Sequence, residues 1–229
     1  AGDVHQIPTV VTDTIKVGAI GFVRTAKITS TINLVTPSFQ EFFYEIGNES
    51  GWKANHALRS PNFDGQYEGW YYLDGEFKFK PNENDYLGDY EYNGEGKIAD
   101  NGGSNIPDPG AGFYRINVNL AEGTYSLTKV ESLSIIGSVL DANWSIDGDM
   151  TYNSTDGCWE WTGALAAGEF KIRMNHDRTV SWGGTDSGTD YANLTYNNGK
   201  NLTIAEAGTY KVQFYLTYEG NNKVVITKQ

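Results

Sequence analysis

The sequence of 229 residues predicts an all-β fold built as tandem antiparallel β-sandwich modules. Three observations lead to this prediction. The composition favours strands and turns over long helices, with 27 Gly, 15 Tyr and 14% aromatic residues. Short segments alternate apolar and polar side chains, as strands with one buried face do. Four blocks of sequence also occur twice in the same order, which indicates an internal repeat.

The repeat defines the predicted domain organisation. The tetrapeptide Gly-Glu-Phe-Lys is identical in both copies, at 75–78 and 168–171. The copies are offset by about 90 to 100 residues, far more than the unit of a solenoid, so each copy is predicted to be a domain with its own core. The predicted divisions are a leading segment at 1–40, a first module at 41–130 and a second module at 131–229. The matching blocks are 44–52 with 134–144, 65–80 with 157–173, 104–120 with 200–216, and 124–130 with 223–229.

Strand positions follow from alternation inside the repeated blocks. Apolar side chains alternate with Lys, Arg or Gln in 77–80, 170–173 and 210–215, which predicts strands with one face turned inward. The leading segment matches neither copy and is predicted to hold one or two strands ending at Pro37, as the remnant of a preceding sandwich domain, a linker, or a strand docked on the first module. Turn dipeptides favour antiparallel pairing, and they are Asn93-Gly94, Asp156-Gly157 and Asn198-Gly199.

The charge balance argues against nucleic acid as a partner. The formal net charge is −12 with a pI of about 4.6, and Lys and Arg are scattered singly along the chain. No apolar run approaches the roughly 18 residues of a membrane helix. Ala1 begins a polar segment, so no signal peptide is expected in this chain. Cys158 is the single cysteine and is expected to pack beside Trp159 instead of forming a disulfide or a metal site.

The residues of common catalytic and metal sites do not occur in the required patterns. The three histidines, His5, His56 and His176, lie far apart, and no nucleophile elbow, phosphate-binding loop or Cys-x-x-Cys motif is present. A glycosidase needs two carboxylates across a cleft, and no pair is marked by the sequence. The Asp-rich segments 147–149 and 186–190 are interpreted as turns, not calcium sites. The sequence therefore predicts a protein that is not an enzyme, with no catalytic residue, no metal ligand and no cofactor.

Two acidic residues recur at the same place in the repeat. Glu76 and Glu169 stand in the two Gly-Glu-Phe-Lys tetrapeptides. Their recurrence is interpreted as a structural role, such as a hydrogen bond to the turn before the strand.

Aromatic residues in polar loops are the candidate binding residues. Trp144 follows the first strand of the second copy, Trp182 lies in the Gly-rich segment 180–184, and Arg173 ends the intervening strand on its outward face. Trp52, Tyr86 and Lys80 take the corresponding positions of the first copy. A flat aromatic ring beside hydrogen-bond donors suits the apolar face and hydroxyl rim of a sugar ring. The alternative is that Trp144 and Trp52 only cap the ends of the sandwiches.

Taken together, these motifs resemble a family of binding proteins. A strand ending in Gly, a loop Trp, Gly-Glu-Phe-Lys with a following cation, an aromatic residue in a Gly-rich segment and Gly-x-Tyr-Lys/Arg succeed one another in 42–229. This order resembles the SusE/SusF-type starch-binding surface lipoproteins of Bacteroidota. The resemblance implies immunoglobulin-like sandwich modules, with 1–40 as the tail of a preceding immunoglobulin-like domain. It also adds Asn201 as a partner of Arg173, and Asn105 as a partner of Lys80.

The resemblance also implies a function and a location. The expected partner is a polysaccharide or oligosaccharide, most of all an α-glucan, held without catalysis near an outer-membrane uptake complex. The expected location is the outer surface of the outer membrane, reached through a lipid anchor that this chain does not carry. Two alternatives stay open: the modules bind a different polysaccharide, or the protein is a structural or adhesive sandwich with no sugar site.

Overall fold

The structure is all-β, which confirms the predicted class. The computed structural model describes residues 4–17, 22–35, 39–83, 88–100 and 102–229, with side chains from residue 39 onward. Throughout this described part the regular elements are strands in antiparallel pairs. No helix in it is long and apolar enough to cross a membrane. The chain forms two compact units, Ala1–Gln40 and Glu41–Gln229.

The first unit is a long hairpin. Strand β1 (Val4–Val17) pairs with β2 (Phe22–Val35), with Val4 opposite Val35 at one end and Val17 opposite Phe22 at the other. Both strands therefore come from the leading segment that matches neither copy of the repeat. Pro37, the predicted end of this segment, lies outside the described residues.

The first half of the second unit, 41–130, forms a single continuous sheet. Its described strands are β3 (Phe42–Gly47), β4 (His56–Arg59), β5 (Gln66–Leu73), β6 (Phe77–Lys80), β7 (Tyr90–Tyr92), β8 (Ile98–Asp100), β9 (Gly112–Asn119) and β10 (Thr124–Lys129). Their order in the sheet is β10-β9-β5-β4-β3-β6-β7-β8. Apolar side chains from β3, β5, β6 and β9 pack into one core, and they include Phe43, Leu73, Phe77, Phe79 and Ile116.

The second half, 131–229, forms two sheets that share one core. Its strands are β11 (Leu133–Gly137), β12 (Asp147–Asp149), β13 (Thr151–Asn153), β14 (Cys158–Leu165), β15 (Gly168–Met174), β16 (Ser181–Gly184), β17 (Leu194–Tyr196), β18 (Leu202–Ile204), β19 (Gly208–Tyr215) and β20 (Lys223–Lys228). One sheet has the order β12-β11-β15-β16-β17, with β18 beside β15, and the other has the order β13-β14-β19-β20. Because side chains from both sheets enter one cluster, this half is sandwich-like.

The sequence repeat is also a repeat of strand pairing. Strand β6 lies antiparallel to β3, and β15 lies antiparallel to β11. In the same way β5 pairs with β9, and β14 pairs with β19. Equivalent residues form ion pairs across these strands, Arg115 with Glu68 and Lys211 with Glu160. The aligned blocks therefore fold into the same local arrangement.

The two halves are joined by a shared aromatic core. Trp70 of β5 is 1% exposed and belongs to the same apolar cluster as the core of the second half. Its indole meets that of Trp182 edge to face, with 5.1 Å between the ring centroids. Its backbone N–H donates to the carbonyl of Thr217 at 2.6 Å. The predicted boundary near residue 130 therefore falls inside one compact unit.

A second set of aromatic contacts lies beside the first. Phe113 of β9 packs edge to face on Trp159 of β14 at 5.5 Å, and Tyr72 stacks on Tyr152 at 5.5 Å. Edge-to-face and offset pairs of this kind add to the free energy gained from burial alone. These strand aromatics thus hold the two halves of the unit against each other.

Candidate functional site

A cleft on the second half brings together three of the predicted site residues. Its volume is about 370 Å³, within the range of small-molecule sites. Trp144, Arg173 and Asn201 were expected from the sequence and all line it. The full lining consists of Ile136, Trp144, Lys171, Arg173, Arg178, Ser181 and Asn201.

Strand alternation explains why β15 supplies two cations to the cleft. Phe170 and Ile172 are fully buried, and both enter the core. Successive side chains of a strand point to opposite faces, so Lys171 and Arg173 point away from that core. Ile136 of β11 stands opposite Lys171 in the ladder and completes this part of the cleft wall.

Trp144 holds its place through an unusual backbone conformation. Its φ angle is 56°, in the left-handed region that a residue with a bulky side chain rarely adopts. Its N–H donates to the carbonyl of Asp141 at 2.9 Å, and its own carbonyl accepts a hydrogen bond from Arg178 at 3.2 Å. The indole is half-buried, which leaves part of its ring open to the cleft.

The first half repeats this conformation at the equivalent tryptophan. Trp52 has a φ angle of 61°, and its N–H donates to the carbonyl of Gly47 at 2.8 Å. Its indole is half-buried, and Nε1 donates to Oδ1 of Asn48 at 3.1 Å. A left-handed non-glycine residue costs about 1–2 kcal/mol, so both loops keep a tryptophan where glycine would be less strained.

Arg173 is oriented by a neighbouring carboxylate. Its Nε and Nη2 both donate to Asp147, with 2.8 Å between Nε and Oδ1. Ser134 also donates to Oδ1 of Asp147, at 2.6 Å. Burial alone would raise the pKa of the Asp147 carboxyl, but the hydrogen bonds from Arg173 and Ser134 outweigh it and lower that pKa. Nη1 of Arg173 bonds to no other described residue and is therefore the donor left for the cleft.

The repeated glutamates position the predicted asparagines. Nδ2 of Asn201 donates to Oε2 of Glu169 at 3.0 Å, and Nδ2 of Asn105 donates to Oε2 of Glu76 at 3.2 Å. A structural role was predicted for these glutamates, with a hydrogen bond to the preceding turn as the example, and the side-chain contact found is with the asparagines instead. In the second half it fixes the amide of Asn201 at the edge of the cleft.

Trp182 was predicted to be a binding platform, and that prediction is wrong. Its side chain is fully buried and packs on Trp70, Tyr196 and Phe214. The Gly-rich segment around it is strand β16 instead of a loop. Glycine serves close packing there, because a Cβ on Gly183 would lie 2.2 Å from the carbonyl oxygen of Lys200.

The predicted site of the first half is also corrected. Lys80 was expected to face a ligand, but it is 3% exposed and its Nζ donates to the carbonyl of Glu83 at 3.3 Å. Tyr86 lies outside the described residues. Trp52 remains half-buried, and the amide of Asn105 is held by Glu76. At the place equivalent to Arg173, which is 8% exposed and lines its cleft, the described part of the first half therefore offers a lysine that is more deeply buried.

Four lining residues were not predicted from the sequence. Alternation along β15 places Lys171 on the same face as Arg173, so this residue could have been found from the pattern. Arg178 lies in a turn whose residues give no such signal, and Ile136 and Ser181 are positioned by sheet pairing. The sequence shows basic residues scattered singly, whereas folding gathers three of them in this cleft.

Two other groups of acidic residues lie outside this cleft. Asp156, Cys158 and Glu160 lie close enough to share a metal ion, but Glu160 already accepts from Lys211 and Gln213, each at 2.8 Å. A second cleft of about 280 Å³ contains Glu68 and Glu219. Burial raises the pKa of Glu219, whereas Glu68 is held by Arg115. Neither group combines an open aromatic ring with oriented donors, as the cleft at Trp144 does.

Comparisons with known proteins add no relative. No protein-family model matches the chain, and no curated protein matches it.

Proposed function

We propose that the protein binds a polysaccharide without converting it, through the cleft at Trp144. The observation that carries this proposal is a half-buried indole kept in a strained backbone conformation beside two oriented donors, Arg173 and Asn201. Strain of this kind persists where the surrounding structure fixes it, and it occurs often at binding sites.

The chemistry of the cleft suits a sugar ring. The indole face of Trp144 can receive the axial C–H groups of a pyranose, since the aromatic face is electron-rich and C–H groups are weakly positive. Arg173, Lys171 and Ser181 offer hydrogen-bond donors, and Asn201 offers an amide with both donor and acceptor capacity. None of the described lining residues carries a carboxylate, whereas hydrolysis of a glycosidic bond normally uses two.

The resemblance noted in the sequence supports a wider proposal. Under it, the two halves are tandem immunoglobulin-like modules of a SusE/SusF-type lipoprotein. The protein would then be lipid-anchored at the outer surface of the outer membrane, where it captures glycan for an uptake complex. The repeated strand pairing and the two left-handed tryptophans are compatible with this view. The resemblance places a starch-type α-glucan first among the glycans to test.

Affinity gel electrophoresis provides the direct test. The panel contains starch, pullulan, dextran, xylan, levan, mannan and a polyuronate. We expect at least one polysaccharide to retard the protein, and Trp144→Ala to weaken that binding about tenfold or more, because a central Trp often carries such a share of binding free energy.

The controls separate the alternatives. Trp52→Ala removes the equivalent indole of the half whose Lys80 is buried, and a smaller loss is expected. A structural or adhesive protein without a sugar site would show no retardation by any glycan and no effect of Trp144→Ala. Release of shorter sugars from a retained polysaccharide would contradict the non-catalytic part of the proposal.

A further inference from the structure

We propose that the cleft at Trp144 takes a sugar that carries an anionic group, either a carboxylate or a sulfate, in preference to a neutral glucan. This inference rests on the proposed function, because it names the class of glycan that the same cleft would hold. The observation behind it is the charge of the lining. Lys171, Arg173 and Arg178 all face the cleft.

The three cations in the cleft contrast with the net negative charge of the chain. The protein has 17 Lys and Arg against 29 Asp and Glu, yet three of the seven lining residues are cationic and none is acidic. Like charges in one concave site repel each other, and a low-dielectric wall strengthens that repulsion. An anion in the cleft would relieve it, whereas a neutral sugar would not.

Two of the three cations form no ion pair with a residue that the structure describes. Arg173 is paired with Asp147, and the more distant carboxylates of Asp149 and Asp177 also act on it from outside the lining. Lys171 forms no ion pair within the described part of the chain. Arg178 makes one hydrogen bond, to the carbonyl of Trp144 at 3.2 Å, and no ion pair with a described residue. Glu169 adds one carboxylate at the edge of the cleft, where it accepts a hydrogen bond from Asn201 at 3.0 Å. Lys171 and Arg178 therefore exceed it by one positive charge after Arg173 is paired with Asp147.

The first half shows what happens when the equivalent position is neutralised internally. Lys78 occupies the place of Lys171 in the repeated tetrapeptide. Its Nζ lies 2.8 Å from Asp89 and 3.3 Å from Glu91. The chain therefore neutralises Lys78 with its own carboxylates, whereas Lys171 faces the cleft. This pairing removes from the first half the open positive charge that Lys171 adds to the cleft of the second half.

The arrangement suits recognition of an acidic sugar. The indole of Trp144 offers a face for the ring, and Arg178 is tied to the backbone of that same residue. An arginine fork binds a carboxylate or a sulfate through two parallel hydrogen bonds, and a lysine adds a compact point charge. A sugar stacked on Trp144 would therefore bring its acidic substituent within reach of Arg178 and Lys171.

Isothermal titration calorimetry on the full chain tests the inference with three trisaccharides: a trigalacturonate, a sulfated trisaccharide and maltotriose. At about 0.05 M NaCl we expect the dissociation constant for an anionic sugar to be at least tenfold lower than for maltotriose. Raising the salt to about 1 M, where the screening length falls to about 3 Å, should remove most of that preference. The relative affinity of the two anionic sugars distinguishes carboxylate from sulfate recognition.

Charge variants locate the effect. Lys171→Gln and Arg178→Gln should each weaken binding of the anionic sugar about three- to tenfold. Binding of maltotriose should weaken much less, because glutamine keeps a hydrogen-bond donor in the cleft and removes only the charge. Lys97→Gln changes the net charge equally at an exposed site of the first half and should have no effect. Equal affinity for maltotriose, or insensitivity to both variants, would overturn the inference and leave the proposed polysaccharide binding intact. Failure of every sugar to bind would overturn both.

Discussion

Replacement of Trp70 by alanine tests whether the two halves of the second unit depend on one core. Trp70 is 1% exposed and meets Trp182, which is fully buried, at a centroid distance of 5.1 Å. Truncation of a buried Trp to Ala costs about 3–5 kcal/mol, part of it from the cavity that remains. The edge-to-face contact accounts for about 0.5–1.5 kcal/mol within that loss.

The expected loss is large compared with the stability of a typical domain, about 5–15 kcal/mol. For a unit of this size it corresponds to a fall in Tm of about 6–20 °C. Urea unfolding followed by circular dichroism and by tryptophan fluorescence measures it. The wild-type protein should show coincident transitions for 41–229, because its halves share one cluster.

A matched tryptophan provides the control. Trp52 is half-buried in a loop, so Trp52→Ala should cost less than about 1 kcal/mol. If Trp70→Ala lowers the free energy of unfolding no more than Trp52→Ala does, the halves are not held together by the aromatic core described above.

Two further predictions concern the cleft. Trp144→Gly should leave the protein as stable as the wild type, or about 1 kcal/mol more stable, because glycine adopts the φ angle of 56° without strain. The same variant should bind glycan more weakly. A clear loss of stability in urea would contradict the strain argument. Asp147→Asn should lower the free energy of unfolding by about 1–3 kcal/mol at pH 7, because it leaves Arg173 partly buried without its counter-charge. Since the pKa of Asp147 is lowered in the folded state, its stabilising contribution is present above the ordinary value of 3.8 and is lost as the pH falls through the folded-state pKa. Urea unfolding at pH 7 and at about pH 3 should therefore show a smaller difference between variant and wild type at the lower pH.

The all-β class and two residues of the cleft could be predicted because they depend on short-range patterns. Alternation in 170–173 identifies a strand with one buried face, and that alone places Arg173 outside the core. The polar loop after the first strand of the second copy marks Trp144, whereas Asn201 was implied by the family resemblance. These three residues meet in the cleft because the loop after β11 and the start of β18 both flank β15.

The remaining features depend on contacts between distant parts of the chain. The segment around Trp182 contains glycines, which mark either a turn or a close approach of two backbones. Only the pairing of β16 with its neighbours decides between these, and it favours close approach. The contact of Trp70 with Trp182 likewise arises from packing across more than a hundred residues, which no local pattern encodes.

The pairing of β15 with β16 links the cleft to the shared core. Arg173 stands opposite Ser181 and Ile172 stands opposite Trp182. Because successive residues of a strand point to opposite faces, Arg173 and Ser181 line the cleft while Ile172 and Trp182 face the interior. Trp70 therefore supports, from the first half, the strand whose other face forms the cleft wall. Under the proposed function, the first half therefore supports ligand binding through the shared core, without holding a ligand of its own.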